Sequence, residues 1–514
     1  GGAEGVILID ILRKVRPDSL LMANYLLEQI PEMKEYQISV DPFGSQGATK
    51  KNTSPLKHCV RFLEEGGALG VFPSGTVSHL HLRRREVMDP PWNRLVVRMA
   101  KKSGATVLPV FFHGRNSNFF QVSGLIHPML RTIQLANQML RMRGNTVHVE
   151  VGAPIPAAKI MDMSDERALD FLRMRTYILK NRIAGANSVF KPKAKVEKQA
   201  VNANHKDIAP GISADLLEQD ILALPAESLI LSSGNFEVYS ATAEMLPHVL
   251  PELGRLREIT FREVAEGTGE SRDIDKFDYY YDHLISWDAE NRKIVGAYRL
   301  AKADKVVEKY GIEGLYTSTL FKLSPELLEQ LGPSIEVGRS FIVSDYQKNY
   351  SSLMLLWRGI VKYTIAEPRY RNLFGLVSIN NEYDRLSRQL IIKFLRANRF
   401  SHEMAKHVKP INPPKTSRVR GLDKHLMSTV VTDVQEVSAL VAEIEAKEKS
   451  IPVLLKQYLK LGGKLLGFNI DPSFGNVLDG LILVDLSEFP EKMAEKYMGK
   501  EGAKEYFAYH GRKI

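Results

Sequence analysis

A polar, lysine-rich stretch at residues 186–225, with a block of alternating strand-like and helix-like runs on either side, constrains this chain more than any other feature. Lys191, Lys193, Lys195 and Lys198, and then residues 202–211, carry no persistent apolar period and read as a linker. The 514 residues therefore divide into blocks 1–185 and 226–514, each long enough to bury its own core. In the first block, residues 68–72, 106–112 and 147–152 are β-rich runs bounded by Gly or Pro. Helical patterns separate them, as at 93–102, and Val6-Ile7-Leu8-Ile9 leads into another, which predicts α/β layers. In the second block, 281–287 and 293–300 read as strands around a turn at 288–291, and 334–343 and 374–379 as two more. A helical pattern begins near Ser351, and a second helix presents Tyr383, Leu386, Leu390, Ile391 and Phe394 on one face.

Composition narrows the function classes. At 44% hydrophobic and 25% charged the chain is globular, and no apolar run is long enough to span a bilayer. The single cysteine, Cys59, excludes an internal disulfide framework, fits a reducing compartment, and reads as a packed core residue. No spacing of ligands suggests a metal. A net charge of +10 asks for an anionic partner, and an acidic carrier protein or an anionic lipid surface suits it better than nucleic acid, whose binding signatures are missing. Arg83-Arg84-Arg85 and an amphipathic pattern at 129–143 fit contact with a membrane surface, although a core-packed helix would give the same pattern.

Phe72-Pro73-Ser74-Gly75-Thr76-Val77-Ser78, Val107-Leu108-Pro109-Val110 and His113-Gly114-Arg115-Asn116-Ser117 follow one another in the order found in the glycerolipid acyltransferase superfamily, which residues 1–155 resemble. The resemblance implies an α/β domain in which a hydroxyl attacks an acyl thioester, with a His as base and a carboxylate orienting it. Gly1-Gly2-Ala3-Glu4-Gly5 looks like the tail of that motif, with Glu4 as the orienting acid. This places the His upstream of Gly1 and predicts a crippled module, since His58, His79, His81 and His113 lack the motif's context. Phe72, Pro73, Ser74 and Gly75 become candidate substrate contacts. Family members with phosphate-bearing acceptors carry Glu and Arg where this chain has Ser74 and Val77, which points instead to a lyso-aminolipid. Residues 41–52 read either as further acceptor contacts or as a solvated loop.

The second block carries Glu336-Val337-Gly338-Arg339-Ser340-Phe341-Ile342-Val343, Tyr346, and Trp357-Arg358-Gly359-Ile360. With Asp275-Lys276-Phe277-Asp278, Gly296-Ala297-Tyr298-Arg299-Leu300 and Tyr383-Asp384-Arg385-Leu386-Ser387, it resembles the bacterial ornithine-lipid N-acyltransferases. The resemblance implies a GNAT-fold α+β domain close to the acyl-homoserine-lactone synthases. Such a fold receives the pantetheine arm between splayed strands and turns a helix N-terminus to its phosphate. Val343, Gln347, Lys348, Asn349, Ser351 and Ser352 are then the donor-binding candidates. Because Gln347-Lys348-Asn349-Tyr350-Ser351-Ser352 holds no glycine to wrap a pyrophosphate, acyl carrier protein is favoured over coenzyme A as donor, with no tightly bound cofactor. Glu336 is the candidate base for the amine, unless it pairs with Arg339 or Arg299 to fix its strand. Asp275 and Asp278 would take the acceptor's ammonium groups and Arg299 or Arg339 its carboxylate, ordinary ion pairing being the alternative, and His283 reads as a satisfied core histidine.

The order of the two modules resembles the bifunctional ornithine-lipid synthases. It implies N-acylation of ornithine with a 3-hydroxyacyl chain by the second module and O-acylation of the product by the first. That work would be done in the cytoplasm, peripherally on the inner membrane. Glycine or lysine remain open as acceptors because no residue set fixes a side chain. A non-catalytic, haemolysin-like membrane-binding protein is the reading from another class.

Overall fold

The computed structural model describes residues 2–24, 31–40, 48–81, 86–114, 117, 120, 134, 144–182, 205–347, 350–381, 383–415, 433–445 and 451–512. The chain divides into two compact units, the first built on Gly1–Val189 and the second on Phe190–Val419 and Glu448–Ile514.

The first unit is α/β, as the alternation predicts. Strand β1 (Leu20–Asn24) runs parallel to β2 (Gln37–Val40) on one side and β3 (Leu69–Val71) on the other. Alternate residues of β1 serve two cores. Leu21 and Ala23 pack with Leu8 and Ile9 of helix α1 (Gly2–Val15). Leu20 and Met22 pack with Cys59 of helix α2 (Ala48–Glu64) and Met99 of helix α3 (Leu95–Ser103). Cys59 is thus the core residue expected. A hairpin of β4 (His79–His81) and β5 (Glu86–Met88) follows β3, and β6 (Val110–Phe112) pairs antiparallel with β7 (Val149–Val151). Helix α4 (Asp165–Ile178) buries Phe171, Leu172 and Met174. Arg83-Arg84-Arg85, the lysine run and all of 129–143 except Gln134 lie outside the described residues.

In the second unit, eight strands form one sheet in the order β16-β17-β14-β13-β11-β10-β9-β8. They are β8 (Leu229–Ser233), β9 (Phe236–Ala241), β10 (Asp282–Asp288), β11 (Lys293–Lys302), β13 (Ser334–Ile342), β14 (Asn372–Ile379), β16 (Lys464–Asp471) and β17 (Val477–Asp485). Two short strands, β12 (Phe321–Leu323) and β15 (Val408–Pro410), pair separately. Helix α5 (Ala214–Ala223) sends Leu217 and Ile221 into a core with helix α6 (Val249–Glu263), Trp287, Ala297 and Phe341. The linker expected at 186–225 is corrected by this at its C-terminal end. Asp215, Glu218 and Asp220 interrupt α5, yet Leu217 and Ile221, one helical turn apart, give it an apolar stripe that docks.

One irregularity shapes everything that follows. Neighbouring strands are antiparallel except β13 and β14, whose parallel pairing runs only from Ser334↔Asn372 to Val337↔Gly375. Beyond that point β13 bulges opposite Tyr298, with Arg339 in the left-handed region at φ +47°, and no longer pairs with β14. Helix α7 (Tyr350–Ile365) follows on the other face of the sheet, where Gly359 lies close against Val238 and Leu284. Helix α8 (Arg385–Asn398) buries Leu390, Ile391 and Phe394 as its periodicity predicts.

The last β13–β14 pair leaves no room for a side chain, since a Cβ at Gly375 would lie 2.0 Å from the Val337 carbonyl oxygen. Gly375→Ala is expected to destabilise the second unit by about 1–3 kcal/mol, the usual cost of overpacking, read as a lowered melting midpoint.

Candidate functional site

Arg299 lies on the apolar face of the sheet, between Ala297 and Ala301, and is almost fully buried. A charge held there needs counter-charges. Its Nη1 donates to Asp275 Oδ1 at 2.6 Å and lies 3.2 Å from Asp278 Oδ2. Its guanidinium stands over the rings of Phe277, Tyr281 and Tyr316 at 5.5, 5.3 and 5.1 Å. Arg257, from α6, donates from Nη1 to Asp278 Oδ1 at 2.9 Å and from Nη2 to the Asp273 carbonyl. The bulge turns Arg339 toward the same group. Its Nε lies 3.3 Å from Asp273 Oδ2, its Nη2 3.5 Å from Asp275 Oδ2, and its Nη1 donates to the Tyr316 hydroxyl at 3.1 Å.

Asp275 and Asp278 are placed by a capping box on the short 3-10 turn Lys276–Tyr279. Burial alone would raise the Asp278 carboxyl, but the charges of Arg257 and Arg299 hold it well below the usual carboxylate range. Burial works against the Arg339 guanidinium too, and Asp273 first among its neighbours keeps it charged. His283 faces the Asp278 carbonyl through Nε2 at 2.8 Å, and burial lowers its pKa to about 4. It is the neutral core histidine its sequence context suggests.

The structure thus brings Asp275, Asp278, Arg299 and Arg339 together. Glu336 faces the same side but is held differently from either reading of its sequence. It contacts neither arginine. Its carboxylate accepts from the Tyr281 hydroxyl, from the Tyr316 N–H at 3.0 Å, and from the Thr317 N–H and hydroxyl at 2.6 and 2.5 Å. With four donors around two oxygens it anchors the turn at Tyr316 to β13.

The donor candidates are less gathered. Val343 extends the ladder by donating to the Val295 carbonyl at 2.9 Å, and Gln347 Nε2 donates to the Ile342 carbonyl at 2.9 Å. Ser351 is exposed at the start of α7, and the Ser352 hydroxyl is buried with no partner among the described residues. Lys348 and Asn349 lie outside the described residues.

Three carboxylates that no sequence motif marks lie next to this cluster: Arg339 acts on Asp471 and Asp479, and Asp479 acts on Glu266. Asp479 on β17 and Asp471 on β16 are buried, and Glu266 comes from the segment after α6. Burial, then the charge of Asp471, raises the Asp479 carboxyl to about 7, while burial and Asp479 raise Glu266 to about 8. The signal was present: aspartates break otherwise apolar runs in both strands, and a lone charge in a buried strand has a purpose or a partner.

In the first unit, Glu4, Phe72, Pro73 and Ser74 line one cavity of about 1020 Å³ whose walls are otherwise largely apolar. Gly75 shapes the turn beside it, with φ +65° and its N–H donating to the Phe72 carbonyl. His113 lines this cavity too, its Nε2 buried without a partner among the described residues, and burial lowers its pKa. Residues 48–52 belong to α2, so the loop reading fails there, and 41–47 lie outside the described residues.

A bulged strand parting from its parallel neighbour, beside a buried cluster of opposite charges, defines a GNAT-type acyltransferase. Residues 256–358 match the acetyltransferase (GNAT) domain family, and residues 1–186 match the acyltransferase family. A glycine N(alpha)-acyltransferase of Phocaeicola vulgatus is 30% identical over 300 residues, 55% of this chain and 90% of that protein. An L-ornithine N(alpha)-acyltransferase of Rhodobacter capsulatus is 29% identical over 47% of this chain and 88% of that protein. A lyso-glycine lipid O-acyltransferase of Phocaeicola vulgatus is 29% identical over 30% of this chain and 56% of that protein. The chain belongs to the aminolipid acyltransferase family that these relatives represent, with the two-module build of a bifunctional synthase.

If Glu336 anchors the turn, Glu336→Gln turns an amide N–H toward a donor and is expected to cost about 1–3 kcal/mol of stability, the penalty of an unmatched buried polar group. Thermal and urea unfolding measure this; loss of rate at full stability would instead mark Glu336 as the base.

Proposed function

We propose that the second unit transfers a 3-hydroxyacyl chain from a carrier-protein thioester to the α-amine of an amino acid, and that the first unit esterifies the 3-hydroxyl of the product. The observation that carries this reading is the paired set of arginines and carboxylates beside the β13–β14 parting. An α-amino acid is a zwitterion, and its acceptor site needs both signs of charge with the amine near the thioester. Space for it lies next to Arg299. A Cβ added at Gly338, which pairs with Arg299 across the ladder, would meet nothing within 4 Å. Two nitrogens of Arg299, Nε and Nη2, are buried without a partner among the described residues and suited to a carboxylate.

Ornithine is the acceptor that the sequence resemblance implies. Glycine is the second reading, supported by the name of the 30% identical relative and by that of the lyso-glycine lipid O-acyltransferase that resembles the first unit. The glycine-free Gln347–Ser352 segment supports carrier protein as the donor, and the net charge of +10 supports both an acidic partner and peripheral binding to an anionic inner-membrane surface. Among the described residues no helix is long and apolar enough to cross a membrane.

The test supplies purified chain with 3-hydroxyacyl carrier protein or the matching coenzyme A thioester, and glycine, ornithine or lysine, and identifies products by mass spectrometry. An N-(3-hydroxyacyl) amino acid is expected, formed faster from the carrier protein. No N-acyl product from any pairing overturns the proposal, and binding or leakage of liposomes without product would favour the haemolysin-like alternative.

A further inference from the structure

Asp479 is a buried carboxylate with no arginine or lysine bonded to it among the described residues, although Arg339 is near enough to act on it. It sits opposite Ser378 of β14, a few residues past the last β13–β14 pair. The Ser378 hydroxyl donates to its Oδ1 at 2.9 Å, and no described residue donates to its Oδ2. Asp471 stands on the adjacent strand, one of its oxygens accepting from the Ser473 N–H at 2.9 Å. Glu266 is brought in by contact between its segment and the β16–β17 turn, where a Cβ on Gly475 would lie 2.5 Å from the Ala265 carbonyl oxygen.

Tyr316 joins this acidic side to the arginines. Arg299 and Arg339 stand over its ring at 5.1 and 4.8 Å, its hydroxyl accepts from Arg339, and Asp471 and Asp479 both act on it electrostatically. The arginines and the two aspartates therefore meet around Tyr316. The Nε and Nη2 of Arg299 have no partner among the described residues.

We propose that Asp479 is the proton acceptor for the acceptor's ammonium group, with Asp471 on the adjacent strand as a positioning residue. The assignment rests on the N-acyltransferase reading above and lies outside residues 256–358, where the GNAT match falls. The ammonium gives one proton to Asp479 Oδ2. The free amine attacks the thioester carbon, the C–N bond forms and the C–S bond breaks. The second proton leaving nitrogen ends on the departing thiolate, and Asp479 returns its own to solvent by way of the half-buried Glu266. Glu336, saturated by four donors, has no lone pair turned to this task.

The groups facing Asp479 are Ser378 from β14, Asp471 from β16, Arg339 from β13, Glu266 from the segment after α6, and Tyr316. Burial and Asp471 raise its carboxyl to about 7, so the ionised, proton-accepting form grows as pH rises through neutrality. At saturating acceptor, kcat of the full chain is expected to rise with pH and level off above about pH 7, the profile of a base in the enzyme–substrate complex.

The experiment uses the full chain with a 3-hydroxymyristoyl thioester and glycine or ornithine. D479N, nearly isosteric, is expected to lower kcat by about 100-fold or more with its melting midpoint retained, and D479E to restore part of the rate. Removing a neighbouring negative charge eases ionisation of Asp479, so D471N is expected to move the acidic limb to lower pH. A D479N enzyme with wild-type kcat and pH profile overturns the assignment and leaves the N-acyltransferase reading intact. A wild-type chain that makes no N-acyl product overturns both.

Discussion

The hydrogen bonds converging on the Glu336 carboxylate tie β13 to Tyr281, the residue just before β10, and to the turn at Tyr316 and Thr317. The remaining charged groups of the site depend on those tethers. Tyr316 is the ring over which Arg299 and Arg339 rest, and Tyr281 is one wall of the cage around Arg299. Immediately past Val337 the strand leaves its parallel neighbour, so without Glu336 the bulge carrying Arg339 would lose its fixed base. A carboxylate buried among satisfied donors is costly to disturb, and here it fixes the place where the sheet opens.

Around that anchor the charges nearly cancel in one half of the site and do not in the other. Arg257, Arg299 and Arg339 face Asp273, Asp275 and Asp278. Buried groups matched this way stay charged and rigid, which is what a binding surface for a small zwitterion requires. Asp471, Asp479 and Glu266 have no such partners, and burial pushes all three upward. The contrast separates residues that hold position from residues free to exchange a proton.

Much of this was legible in the sequence. Both fold classes follow from ordered motifs and apolar periodicity, and the family resemblance singles out Asp275, Asp278, Arg299 and Arg339, which the structure brings together as ion pairs. Short strands were not: β1 and β2 are brief and lack the β-branched runs that mark a strand, so only their pairing reveals them. Helix α5 is hard to see in the sequence because its short apolar pattern directly follows the polar, lysine-rich stretch. The base was placed on Glu336 because a motif carries it, whereas its hydrogen-bond partners come from distant segments that no local pattern connects. Asp479 is equally distant, reaching the arginines only because β17 inserts between β16 and β14.

That insertion has a consequence for the chain as it is made. Sheet order is not chain order: β13 and β14 are complete by residue 379, but β17, beside β14, is among the last strands synthesised. A nascent chain emerging from the ribosome would carry its arginines and their paired aspartates for some hundred residues before Asp471 and Asp479 arrive. Until then β14 shows an open edge, a surface prone to wrong pairing. The hairpin of β16 and β17 closes this edge and delivers both aspartates in the same event. Completion of the sheet and completion of the site are one folding step.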